Sequence, residues 1–227
     1  ARIRALKAAV GKGDVYNVSE LAITLKSLAE ARNFLSKFEI AHNYYVQCYN
    51  NQVKESPRHQ ANVKMARLYI SHFIQVLNLS VLRSEIKSVH KKLYDLPVDN
   101  ATVPDLASEA AMVDWGKRII EGERRRTSQG GVPIYNPTIA KVKVHYDIFV
   151  DSYEKQRALQ ALTNRSLEEL SSMRARADEL ILDIWNQVEE KFQNVFPNEA
   201  RLDKCRDYGL IYYYPVSYTH LTLPTTP

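Results

Sequence analysis

From residue 138 to residue 192 the chain contains neither glycine nor proline. A stretch that long without a backbone breaker is not built from strands, which average about five or six residues and need turn signals between them. Its apolar residues recur at helical spacing: Ile139, Val142, Tyr146, Phe149 and Tyr153, then Leu170, Met173, Ala177, Leu180, Ile184 and Val188. Residues 154–165 between the two stripes are mostly polar. Ser166-Leu-Glu-Glu169 has the pattern of a capping box. It predicts a turn and two helices, 138–163 and 166–193. One continuous helix of roughly 80 Å, at about 1.5 Å per residue, is the alternative.

The first half repeats this arrangement. Asn17-Val-Ser-Glu20 reads as a helix start. Leu21, Leu25, Leu28, Ala31, Leu35, Phe38, His42, Tyr45 and Tyr49 then alternate at three and four, close to a heptad seam. Proline is welcome at a first helical position and poor in an interior. Ser56-Pro57 therefore predicts a break between helices 18–54 and 57–92, with a single kinked helix as the rival. Residues 68–82 are apolar on most sides, as expected of a central helix. A shorter helix over 106–127 follows a Pro-rich loop, capped by Asp105 or Ser108. Asn136-Pro137 is the strongest helix start in the chain. The expected fold is all-α: an antiparallel four-helix bundle or a long helical hairpin, with a short inserted helix. A small extension, 197–214, ends in an extended segment.

Seven glycines, nine prolines and two cysteines in 227 residues exclude a collagen-like chain, a disulfide scaffold and a four-thiolate zinc site. No apolar run reaches membrane-spanning length. The absence of a secretory signal favours the cytoplasm. The net charge of +5 is local: residues 1–16 and 117–126 each carry +3. Gly11 and Gly13 predict that 1–16 is a flexible basic lead-in. Residues 215–227 contain no charged side chain and resemble a translated sequencing-adapter tail, so they are set apart from the functional reading.

Four stretches, 66–78 (ARLYISHFIQVLN), 131–146 (GVPIYNPTIAKVKVHY), 177–189 (ADELILDIWNQVE) and 208–214 (YGLIYYY), resemble an uncharacterised family of bacterial all-helical proteins. The resemblance spans roughly residues 15–214. It implies no activity and carries no catalytic residues.

Glu39-Ile-Ala-His42 has the spacing of one half of a di-metal helix pair, but the second pair such sites need is missing. We therefore expect no metal and no cofactor. His72 and His145 each lie within an apolar face, and we expect a buried polar pair if they meet. Cys48 falls on an apolar face. Cys205 lies between two cations, and neither cysteine has a base beside it in sequence. No nucleophile constellation is visible, and we expect no enzyme. Lys117, Arg118, Arg124, Arg125 and Arg126 form the strongest charge cluster, and Tyr44, Tyr45, Tyr212, Tyr213 and Tyr214 crowd two short stretches. Tyrosine suits surfaces with one wet edge. These residues are the candidate contact points of a structural or protein-interaction bundle, with a protein partner or a second copy as its ligand. The alternative is unspecific nucleic-acid binding through residues 2–12 and 117–126.

Overall fold

Most residues of the predicted stripes lie buried or half-buried on helices, but Leu25 and Tyr49 are exposed and Leu21 precedes its helix. The computed structural model describes residues 1–15 and 20–212, and among these the chain is all-α with no strand. Six helices follow in order: α1 (Arg2–Val15), α2 (Leu25–Leu82), α3 (Glu109–Ser128), α4 (Ile139–Ser172), α5 (Arg174–Phe192) and α6 (Asn198–Asp207). A 3-10 segment, Ser88–Tyr94, lies between α2 and α3. The chain divides into two compact units, residues 45–166 and residues 1–44 with 167 onward. No helix is long and apolar enough to cross a membrane among the described residues.

In the contiguous unit, α2 and α4 run antiparallel. The pairs show this directly: Glu55 with Lys155, His59 with Ser152, Tyr69 with His145. As α2 numbers rise, α4 numbers fall. Ile70, Phe73, Ile74 and Leu77 of α2 meet Val142 and Phe149 of α4, with Met112 and Ile119 of α3 and Tyr94 of the 3-10 segment. Two glycines of α3 let neighbours approach. A Cβ on Gly116 would stand 2.2 Å from the Tyr146 ring, and one on Gly122 would stand 2.4 Å from the Tyr94 ring.

In the other unit, α2 and α5 are also antiparallel. Thr24 N–H donates to Gln187, Ser27 to Asp183, and Arg176 to Glu30. Leu28, Ala31, Leu35 and Phe38 of α2, with Ala177, Leu180, Ile184 and Val188 of α5, form the buried stripes.

Several boundaries differ from expectation. The lead-in 1–16 is not a flexible arm: residues 2–15 are helix α1, with Leu6 and Ala9 buried against α5 and α6. Arg2 forks onto Asp178 at 2.7 and 2.8 Å, Lys7 meets Glu39 at 2.6 Å and Lys12 meets Asp207 at 3.0 Å. Acids far along the chain thus anchor what local composition marked as loose. The next helix starts at Leu25, not 18, with Thr24 as its cap, because Leu21, Ala22 and Ile23 are buried as a non-helical lead. Asn17 lies outside the described residues, as does the 215–227 tail.

There is no turn at Ser56. Pro57 lies inside α2. The buried stripe runs through it from Cys48 to His59 and Ala66, and burial on both sides outweighs the roughly 3 kcal/mol that an interior proline costs a helix. Helix α2 ends at Leu82, ten residues before the expected 92, and the 3-10 segment takes over. The second expected turn also moves. Ser166 is buried inside α4, with its hydroxyl donating to Thr163 O, so it caps nothing. The interruption is the single residue Met173. Thr138 rather than Asn136 caps α4, whereas Ser108 caps α3 as expected. Residues 68–82 are buried on one side only: Leu68, Leu79 and Leu82 are exposed.

Candidate functional site

The expected histidine pair does not form. His72 is exposed on the outward side of α2, while His145 is half-buried and stacks on Tyr69 at 4.1 Å. The spacing that put both on apolar faces was right for their neighbours Phe73 and Tyr146 but placed His72 one position off the buried stripe.

The basic cluster is also dismantled. Arg126 is buried, forking onto Glu123 at 2.8 and 2.9 Å and donating to the Tyr94 hydroxyl and Val132 O at 2.8 Å each. Tyr94 donates to Glu123 as well, and Glu123 accepts from Ile134 N–H at 3.1 Å. Burial, reinforced by the Glu123 carboxylate, pushes the Tyr94 phenol far above its ordinary range. This closed network ties α3 to the 3-10 segment and to the 129–137 connection. Arg118 pairs with Asp114 at 2.7 Å and lies over Trp115, and Arg125 pairs with Glu121. Lys117 and Arg124 are exposed, with no ion pair described for either.

Of the tyrosines, Tyr44 is half-exposed, Tyr45 packs on Tyr49 at 6.2 Å, and Tyr212 donates to Glu189 at 3.0 Å. Burial beside Cys205 and Glu189 raises the Tyr212 phenol. Tyr213 and Tyr214 lie outside the described residues. Glu39 is engaged by Lys7, and both Cys48 and Cys205 are buried.

Two features that sequence reasoning passed over now stand out, both in the 45–166 unit. The first is the outward side of α2. Ala61, Met65, Leu68, His72, Gln75, Leu79 and Leu82 are spaced four, three, four, three, four, three and all are exposed. That is the a/d rhythm of a coiled-coil seam, directly opposite the Ile70–Phe73–Leu77 stripe. No Asp or Glu occurs between Glu55 and Glu85, while Lys64, Arg67 and Arg83 stand exposed along this stretch. Sequence analysis read these apolar residues as core, because a helix apolar all round is usually central.

The second is a cluster at His59, which is only 6% exposed. Its Nδ1 lies 3.1 Å from Ser152 Oγ of α4 and its Nε2 lies 3.1 Å from Glu109 Oε1, the first residue of α3. Fold topology brings together residues 93 apart in sequence. Ser152 faces a cleft of about 240 Å³ with Arg58, Asn62, Ile148, Lys155 and Gln156. Glu55, on the rim, is held below the usual carboxylate range by the Lys155 ammonium. Gln156 is 8% exposed and its Oε1 accepts no hydrogen bond. Such a buried acceptor costs about 1–3 kcal/mol unless a donor arrives. The available signal was His59 and Gln52 falling on the helical stripe between Cys48 and Ala66, polar residues where apolar ones are the rule.

Among the described residues no group of three His, Cys, Asp or Glu side chains is placed to hold a metal. No protein-family model matches the chain, and no curated protein or solved structure matches it.

Proposed function

We propose that the protein is a helical interaction module that docks an acidic amphipathic helix on the outward side of α2. The observation that carries this reading is the exposed seam Met65–Leu68–His72–Gln75–Leu79–Leu82. Its apolar positions, Met65, Leu68, Leu79 and Leu82, flank the polar His72 and Gln75, and covering one leucine contributes about 1.5–3 kcal/mol. A helix in a groove or along a seam is read through anchors at this spacing. Charge chooses the partner. Lys64 stands exposed beside the row and Arg67 keeps its charge there while donating to Leu106 O and Ala107 O; Arg83 is already paired with Glu85 at 2.9 Å. With no acidic residue between Glu55 and Glu85, the remaining positive charge suits a helix whose seam is bordered by Glu or Asp. The basic 117–126 segment contributes less than its composition suggests, since Arg118 and Arg125 are ion-paired and Arg126 is buried.

The test uses two fluorescent heptad peptides with leucine at a and d, one flanked by glutamate and one by lysine. The full chain binds the acidic peptide at least tenfold more tightly than the basic one, and L68E/L79E abolishes the preference. Equal binding of both peptides overturns the proposal. So does binding that L68E/L79E leaves unchanged, or tighter binding to duplex DNA, RNA or anionic vesicles than to the acidic peptide.

A further inference from the structure

One neutral arrangement of the protons around His59 gives both ring nitrogens a partner. The Glu109 carboxylate can only accept, so the imidazole proton sits on Nε2. The Nδ1 lone pair then faces Ser152, and the serine hydroxyl is the donor within reach. In the protonated state Nδ1–H donates to Oγ instead, and the hydroxyl turns to Phe149 O, 2.9 Å away. Both states have a complete set of hydrogen bonds. They differ by one proton and one hydroxyl rotation.

A carboxylate that fixes the tautomer, an imidazole able to take a hydroxyl proton, and a serine opening on a cleft make an acid–base–nucleophile relay. Gln156 lines the same cleft and its shielded Oε1 accepts no hydrogen bond. Arg58 and Asn62 also line it and are able to donate to a developing oxyanion.

We propose that this cleft is an acyl-transfer site with Ser152 as nucleophile and His59 as base, positioned by Glu109. Ser152 Oγ bonds to an ester carbonyl carbon while its proton passes to His59 Nδ1, and the carbonyl π pair moves onto oxygen. Collapse of this adduct breaks the bond to the leaving alcohol, which takes the proton from Nδ1. Water then attacks the acyl-serine, giving its proton to Nδ1. Release of the acid returns that proton to Oγ. With Ile148 the only apolar side chain among Arg58, Asn62, Asp151 and Lys155, the cleft suits a short polar acyl group and not a lipid chain. This activity does not depend on the α2 seam.

The test treats the full chain with a fluorophosphonate probe, maps the adduct by mass spectrometry, and follows hydrolysis of p-nitrophenyl acetate. The expected adduct is on Ser152. S152A abolishes it, H59Q slows labelling and hydrolysis at least about a hundredfold, and E109Q slows them by about tenfold or more. Circular dichroism establishes that each variant is folded, and S152C, trapped by iodoacetamide faster than S152C/H59Q, probes the base without requiring S152A. Absence of a Ser152 adduct on the folded wild-type chain overturns the proposal, as does hydrolysis that S152A leaves unchanged.

Discussion

Replacing Glu123 by leucine isolates the energetics of the buried network on α3. Arg126, 2% exposed, has four hydrogen bonds and would keep two, to the Tyr94 hydroxyl and Val132 O. Neither partner is charged. An uncompensated buried charge costs about 3–5 kcal/mol, and the orphaned Ile134 N–H adds about 1 kcal/mol. We expect a loss of about 4–6 kcal/mol. The double variant E123L/R126M removes both charges. It leaves Val132 O and Ile134 N–H beside a solvent-open cleft of about 740 Å³, where water can replace the lost partners. The buried Tyr94 hydroxyl loses both of its partners, at about 1–3 kcal/mol, so the double variant should cost about 2 kcal/mol, less than E123L alone. The two tryptophans make the measurement local. Trp115 lies in the 45–166 unit and Trp185 in the other, so urea unfolding of a W185F background reads the relevant unit. A loss below about 1 kcal/mol for E123L would refute the reasoning, as would a double variant no more stable than E123L.

Other perturbations address the elements around this network. Gly122→Ala drives a methyl into the Tyr94 ring and Leu93 O, and should cost about 1–3 kcal/mol in the same assay. Pro57→Ala restores a helical N–H inside α2 and should raise stability by about 1–2 kcal/mol; a turn at Ser56 would make it neutral or harmful. Asp178 is held below its ordinary range by the Arg2 hydrogen bond. Its contribution is therefore present above the unfolded carboxylate value, about 3.9, and is lost as pH falls through the lower folded one. D178N should flatten the acid limb of a Trp185-monitored stability curve, and an unchanged limb would contradict the pairing.

The helical stripes were legible because burial writes a three–four rhythm directly into sequence: Leu28, Ala31, Leu35 and Phe38, or Ala177, Leu180, Ile184 and Val188. Breaks were less legible because they depend on what lies across the fold. Pro57 obeys a local rule that tertiary burial overrides. Residues 2–15 looked loose because Asp178 and Asp207, their anchors, are far along the chain. Gly13 marks a close approach to Leu28 rather than a hinge. The candidate site was the least visible. His59, Glu109 and Ser152 belong to three helices, and each meets the other members of the cluster only across the fold. Arg126 misled for the converse reason. Its partner Glu123 is three residues away, but only the fold decides that the pair is buried and withheld from solvent.

The division of the chain has a consequence for synthesis. Residues 45–166 are contiguous, so that unit has all its own sequence once residue 166 has left the ribosome. The other unit waits. Leu28, Leu35 and Phe38 are made early, yet Ala177, Leu180 and Ile184, which complete their stripes, come only after the whole inserted unit. Until then α1 can cover Leu28 at Gly13, but the part of the stripe that faces α5 lacks its partner. The order of manufacture therefore leaves the α5-facing stripe of residues 25–44 among the last apolar surfaces to be covered.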